Sequence, residues 1–557
     1  MIRNYLKIAL RNIIKHKLHS LINILGLAIA IACCLLLVLF IRDELSYDSF
    51  HNNKDRIFRT NFTFTRENTT HISARTPAPL GTALKLEFSE VEYVTRFLSS
   101  EYTLKHDENL FTEKTTFTDP DFLKMFSFNL IRGNPNEMLR DKNTIILSEN
   151  IVRKYFGRGN PIGEMITLIR FGVSHDFTIN GIITSPPENS SIQYDILIPF
   201  EKLRDFFGDD YLANWGVSSV RTYIQLFESS QDEEVISRLP KFIKKYIGAS
   251  GTIYSLQSLS DVHFASTVQE TMSPSSSMTY SYILGGITLL ILLIAGFNSM
   301  NISTALASTR YKEIGVRKVM GAVRKQIIIQ ICGETVILSS IAFILGILLA
   351  ELFLPTFNIL AEKSLKLNYF ENWYSFALAV VFIGVMGLLS GIFPSVLLSK
   401  YPPVDLYQRK QIIGGRSSYS RSSIMIQFGL SIFLIVCTLV MSNQLNYLKT
   451  CNLGFNNDQI VVIPYRGENS QETLDTYRSE LSRYAFVLNS SGAYSYPGGS
   501  YHTANATSAN TTISINHIKV DYDFLETFGI KLKEGRNFSR NILSDTTRAI
   551  IIVSIRN

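Results

Sequence analysis

The sequence predicts an α-helical membrane protein with α+β domains outside the membrane, five transmembrane helices and a cytoplasmic N-terminus. Three observations predict it. Five apolar runs, at 21–41, 281–303, 329–354, 373–398 and 424–441, stand out from a 557-residue chain that is 46% hydrophobic. About 20 apolar residues suffice to cross a hydrocarbon core of ~30 Å. Between the second and third runs, Arg310, Lys312, Arg317, Lys318, Arg324 and Lys325 face a single acid, Glu313. Short loops rich in Lys and Arg stay on the cytoplasmic side. The third observation is the pair of long stretches 42–278 and 442–557, which mix strand-like alternation with helical patterns.

Taken in order, residues 1–20 read as an amphipathic helix on the cytoplasmic membrane surface. Arg3, Lys7, Arg11 and Lys15 recur every fourth residue, while Ile2, Leu6, Ala9, Leu10 and Ile13 fill another face. Such a helix lies among lipid headgroups. Span 21–41 follows, and its basic start places residue 42 onward outside the cytoplasm. Cleavage as a signal peptide is disfavoured, because the apolar run continues to Ile41, past Ala30-Ile31-Ala32-Cys33. The second and third spans enclose a cytoplasmic loop at 304–328. Pro355 opens an external loop. The fourth span holds Gly387 and Gly391, whose spacing of four permits close helix packing, and Pro394, which is placed to kink its inner end. A basic, turn-rich linker at 399–423 leads to the fifth span.

The stretch 42–278 reads as α+β. Strands are expected at RIFRTNFTFT, NTIILS, DFTINGIIT, DILIPF and TYIQLF, and helices at PLGTALKLEF, DPDFLKMF, ENIVRKYFG and VISRLPKFIKKY. Its strand order does not follow from the sequence. The five cysteines lie in or beside apolar runs (Cys33, Cys34, Cys332, Cys437, Cys451), where they pack as small apolar residues. Nine scattered histidines, with no HExxH and no CxxC, point to no metal and no cofactor. The net charge of +7 sits beside the spans, so membrane topology accounts for it and nucleic acid is not implied. Asp119, Asp121, Glu188 and Asp195 have no nucleophile or histidine beside them in sequence and read as solvated or turn-forming. No GxxxxGK[ST] loop is present, so the chain is not expected to hydrolyse ATP itself.

A repeat links the two long stretches. Asp119–Gly133 reads DPDFLKMFSFNLIRG and Asp521–Gly535 reads DYDFLETFGIKLKEG. Each precedes an expected strand, NTIILSEN and RAIIIVSI. The chain therefore starts over, and the second external domain, at 442–557, is expected to be incomplete in a C-terminally truncated product.

With these residues on the page, the chain resembles the MacB/FtsX-like permeases of ABC transporters, and within them the large two-repeat type. The resemblance rests on YLKIALRNIIKHKLHSLINILGLAIAI, ELSYDSFHNNKDRIFR, TPAPLGTAL, NPIGE, SPPENSSIQYD, NISTALASTRYKEIGVRKVMGAVRKQIIIQICGE and GIFPSVLLSKYPPVDL, in that order. It implies a multi-pass subunit of a bacterial inner membrane. A separate cytoplasmic ABC-type ATPase would drive it, and its external domains would do the work, a scheme called mechanotransmission. It also implies a MacB-like periplasmic core domain over 42–278, a homodimer or second permease half, and a periplasmic adaptor as partners. Efflux and lipoprotein or envelope handling are the functions to which it points.

Within that scheme Glu313, Gly315, Arg317, Lys318 and Gly321 form the expected ATPase-coupling surface, the glycines permitting tight turns or close approach. Glu334, in the third span, and Asn298 and Asn301, at the inner end of the second, are expected to serve structure by reaching the interface or bonding between helices. Two other readings stay open. One is a membrane-anchored sensor or scaffold without an ATPase, and the other is a non-functional fragment of such a permease.

Overall fold

The computed structural model describes residues 11 and 14–552 except 67–68, 108, 171–172, 249–252, 310, 368–372, 401–417, 464, 466–469, 500–501, 509–510 and 547–548. Most of the N-terminal helix expected at 1–20, and most of the linker at 399–423, lie outside these residues. Contacts divide the chain into two units. One comprises Met1–Ser49, Pro187–Ser190 and Ser276–Asn446, and the other Phe50–Pro186, Ser191–Ser275 and Tyr447–Asn557.

The chain enters the first unit through helix α1 (Lys17–Leu45) and then builds a thirteen-stranded sheet in the second. Its strands are β1 (Ile57–Arg66), β2 (Thr69–Ser73), β3 (Thr76–Pro77), β4 (Val91–His106), β5 (Asn109–Thr118), β6 (Leu130–Gly133), β7 (Thr144–Ser148), β8 (Met165–Arg170), β9 (Val173–Ile183), β10 (Ile196–Pro199), β11 (Ser218–Leu226), β12 (Ile253–Ser258) and β13 (Val268–Gln269). The main path runs β13-β2-β1-β11-β4-β5-β10-β7-β9-β6. Most pairs are antiparallel, but β5–β10, β7–β9 and β2–β13 are parallel. Helices α2 (Pro79–Glu87), α3 (Phe122–Met125), α4 (Glu149–Phe156) and α5 (Asp232–Tyr246) cover it.

All the strands and helices expected in this stretch are present. Leu80, Leu84 and Phe88 meet Leu239 and Phe242 against Ile224. Phe97, Phe122, Phe126, Phe128, Tyr194 and Tyr223 form an aromatic core, and burying such a side chain is worth about 1.5–3 kcal/mol.

Asp119 and Asp121 form turns as expected, their carbonyls accepting the Phe122 and Lys124 N–H groups, but their side chains also make ion pairs that the sequence reading did not include. Asp119 is not a solvated side chain. Its Oδ2 accepts from the Arg96 N–H at 2.8 Å and Nε at 2.9 Å, and its Oδ1 from Nη2 at 2.7 Å. Asp121 pairs with Lys85 and Lys124. Asp195 is half-buried, and burial followed by the nearby Glu113 pushes its carboxyl up.

The first unit continues with α6 (Met278–Thr309), α7 (Tyr311–Val319), α8 (Arg324–Ala361), α9 (Trp373–Lys400) and α10 (Ser418–Thr450). Among the described residues four helical stretches are long and apolar enough to cross a membrane: Lys17–Leu45, Met278–Leu306, Arg324–Ala361 and Arg421–Thr450. In α9 the shorter stretch Val380–Val396 is apolar.

The helices outrun the expected spans. Pro355 does not open a loop, because α8 runs through it to Ala361. A proline inside a helix costs about 3 kcal/mol, but Leu354 and Phe357 pack on Leu36 and Phe40 and offset that. Left-handed Glu362 (φ 51°) ends the helix. Likewise α10 extends beyond 424–441 at both ends, and α9 continues through Pro394 to Lys400.

The expected close packing at Gly387 and Gly391 is observed. A Cβ on Gly387 would lie 2.7 Å from the Cα of Val336, and one on Gly391 would lie 2.3 Å from Thr335 Oγ1. Thr335 Oγ1 reaches the Gly387 carbonyl at 2.7 Å.

In the stretch 442–557, α11 (Ser470–Leu481), a hairpin of β14 (His502–Ser508) and β15 (Thr511–His517), and α12 (Phe524–Thr527) follow. The repeat has a structural basis. Each copy follows a hairpin, β4–β5 or β14–β15, and forms a four-residue helix entered through an aspartate, Asp121 or Asp523. The first Asp of each copy anchors an arginine. Asp521 accepts from Arg478 Nη2 at 2.7 Å and from the Gly492 N–H at 2.6 Å. The strand expected at RAIIIVSI is absent from the described residues 549–552. In the first copy β7 is held by β9 and β10, and no counterpart of either pairs with 549–552.

Candidate functional site

The stretch 304–328, expected as a loop, is mostly helical. It comprises the end of α6, the whole of α7 and the start of α8, with 320–323 as the turn. Lys, Arg and Glu favour helices, and the Glu313–Arg317 pair, four apart, adds about 0.3–0.5 kcal/mol. The turn depends on Gly321 at φ 93°, a conformation that side chains disfavour. Around it the Gly321 N–H donates to the Lys318 carbonyl at 3.1 Å and the Ala322 N–H to the Arg317 carbonyl at 3.0 Å. Gln326 Oε1 accepts from the Val323 N–H at 3.2 Å and starts α8.

The charged residues expected to face a partner are tied back onto the protein. Arg317 Nη2 lies 2.9 Å from Glu313 Oε1, and Nη1 donates to Gln330. Gln330 Nε2 donates to Glu334 Oε1 at 3.2 Å. One polar chain thus joins α7 to α8, and Glu334 belongs to it. Lys318 Nζ donates to the Ser399 carbonyl at 2.9 Å, and Arg324 Nε donates to Ser399 Oγ at the same distance, which fixes the turn to the end of α9. Burial, then the neighbouring Arg324, pushes the Lys318 ammonium down from its usual range. Gly315 is buried, as is Ile314 before it. Asn301 Nδ2 donates to Gln427 Oε1 on α10 at 3.1 Å. Asn298 Nδ2 would lie 3.5 Å from a Cβ on Gly26 of α1.

Beside the exposed Glu313, α7 and the turn after it leave three large apolar side chains exposed. Val316 is 56% exposed, Val319 73% and Met320 84%. Their i, i+3, i+4 spacing puts them on one side. Reading the stretch for charge missed them, although IGVRKVM carries the amphipathic pattern. Hydrogen bonds to Gln330 and Ser399 tie this arrangement to α8 and to the end of α9. It offers a rigid, braced helix that presents an apolar face.

Two family models match the chain. Residues 20–242 match the MacB-like periplasmic core domain, and residues 285–403 match the FtsX-like permease C-terminal domain. The chain belongs to the MacB/FtsX-like permeases of ABC transporters. Together the two matches take in most of α1, strands β1 to β11 and α7. A MacB of Bdellovibrio bacteriovorus, named a macrolide export ATP-binding/permease protein, is 27% identical over 47% of this chain and 38% of its own length. An ABC transporter permease of Bacillus subtilis, YvrN, is 23% identical over 72% of this chain and 98% of its own. The chain thus spans under half of that MacB and nearly all of YvrN. A crystallised permease domain from Porphyromonas gingivalis is 25% identical over 37% of this chain and 91% of its own, with a TM-score of 0.34.

Proposed function

We propose that this permease passes ATP-driven movement from a separate cytoplasmic ATPase to its external domains, and that α7 receives it. The observation that carries this reading is the braced apolar face of α7. Glu313, Arg317 and Lys318 hold the helix in place through Gln330 and Ser399, while Val316, Val319 and Met320 are left for a partner. Gly315 and Gly321 set its approach and its turn. An exposed apolar stripe at the end of two membrane helices suits docking into a protein groove. The basic residues around it support a cytoplasmic placement in an inner membrane. The macrolide export named for the MacB relatives makes efflux one direction of that work, and envelope handling is the other.

The test is co-purification of the full chain in mild detergent. An ABC-type ATPase should be retained. Val316→Asp with Met320→Asp should lower its amount by about tenfold or more, as loss of a central contact does. Arg317→Glu, which breaks the brace, should weaken it less. Undiminished retention in the double variant would overturn the assignment of α7. No ATPase with the native chain would favour a membrane-anchored sensor or scaffold.

A further inference from the structure

Three stretches distant in sequence, 43–48, 187–190 and 358–365, are bonded to one another, the first and third through one ammonium. Lys363 stands just past α8. Its Nζ lies 2.7 Å from Asp43 Oδ2, 2.9 Å from Glu44 Oε1 and 3.2 Å from Tyr47 Oη. Those partners match the three protons an ammonium carries. Only 12% of the Lys363 side chain and 6% of that of Glu44 are exposed. Burial alone would lower the Lys363 ammonium, but its bonds to Asp43, Glu44 and Tyr47 outweigh that and push it up. Asn358 holds the turn, donating from Nδ2 to the Leu365 carbonyl at 3.0 Å and accepting its N–H at 3.1 Å.

The neighbouring residue reaches the segment 187–190. Ser364 donates its N–H to Glu188 Oε2 at 2.9 Å and its hydroxyl to Glu188 Oε1. From the other side, Asn189 Nδ2 donates to Ser46 Oγ at 2.9 Å, and its carbonyl accepts the Asp48 N–H at 3.0 Å. Ser190 Oγ donates to Asp48 Oδ1 at 3.3 Å. Four residues are thus held both by the end of α1 and by the turn after α8. Pro186 and Ser191, on either side of them, belong to the other unit. Ile192 and Tyr194, next along the chain, lie in that unit's aromatic core.

Removing one partner of a buried ion pair leaves an uncompensated charge, so each member of this cluster depends on the others. We propose that Asp43, Glu44, Lys363 and Glu188 form a rivet that carries movement of α1 and α8 into the external domain through 187–190, with Lys363 as its positioning residue. This rests on the coupling reading above.

The test is hydrogen–deuterium exchange on the full chain with its co-purified ATPase in lipid nanodiscs, compared in ADP and in ATP. In the native chain, peptides over α7 and over 187–190 should both respond to ATP. In Lys363→Met, α7 should keep its response, while 187–190 should lose it and exchange about tenfold faster. Lys363→Arg, which keeps a cation, should restore the response. Glu188→Ala alters an exposed side chain and should act as Lys363→Met does, so it carries the test if the buried variant fails to fold. An ATP response at 187–190 that survives in Glu188→Ala, and in Lys363→Met where that variant folds, would overturn the rivet. A native chain with no response at α7 would overturn the coupling reading itself, and the rivet's role with it.

Discussion

His51 is an imidazole almost without water. Phe50, Phe126 and Phe128 surround it with ring centroids 4.1 to 5.3 Å away, and its Nδ1 accepts the Ser127 N–H at 3.0 Å. Burial pushes its pKa down to about 4. In the unfolded chain the ring takes a proton near 6.5, and in the folded domain only near 4. Between those values the unfolded state holds more protons, so acid favours unfolding. Stability from this group is complete above about pH 6.5 and falls by up to about 3 kcal/mol towards pH 4. Thermal unfolding from pH 7 to 4 should therefore show a drop in melting temperature that His51→Asn flattens. An equal drop in both chains would refute the assignment. The same scale shows what the sequence concealed. Asp119 reads as a turn former in one dimension, because Arg96 lies 23 positions away. Nothing in spacing announces a partner on a neighbouring strand.

At the scale of elements, the glycines of α9 divide by what faces them. A Cβ on Gly387 would meet the Val336 backbone at 2.7 Å, whereas one on Gly384 would meet nothing within 4 Å. Gly387→Ala must separate α8 from α9 and disturb the bond from Thr335 to the Gly387 carbonyl. Such overpacking costs about 1–3 kcal/mol. Melting in detergent should fall for Gly387→Ala and stay level, or rise, for Gly384→Ala, since alanine favours helix. Equal behaviour would show that the contact is not tight. This seam was legible because small residues four apart have few other uses in a span. The short helix α7 was not legible, because the positive-inside rule reads charge and is silent about conformation. Nor was the helix through Pro355, since Phe40 and Leu36, which hold it, belong to a helix about 320 residues earlier.

For the whole molecule, the apolar runs and their basic flanks sufficed to anticipate a membrane protein with large polar domains, because hydropathy is local. The strand order was not anticipated, since β1 pairs with β11 and β12 across more than 150 residues. The rivet at Lys363 was hidden for the same reason. The sidedness that the charges imply can be read at exposed side chains. If α1, α6, α8, α9 and α10 each cross once from a cytoplasmic N-terminus, Ser229 and Leu488 lie outside and Met320 inside. All three are exposed, so accessibility at each reports sidedness rather than burial. With the five native cysteines replaced, Ser229→Cys and Leu488→Cys should react with a membrane-impermeant maleimide in intact spheroplasts, and Met320→Cys only after permeabilisation. Labelling of Met320→Cys in intact cells would invert the molecule and remove α7 from any cytoplasmic partner. Labelling of Ser229→Cys but not Leu488→Cys would mean that α9 or α10 does not cross, and would put the two copies of the repeat on opposite sides of the membrane.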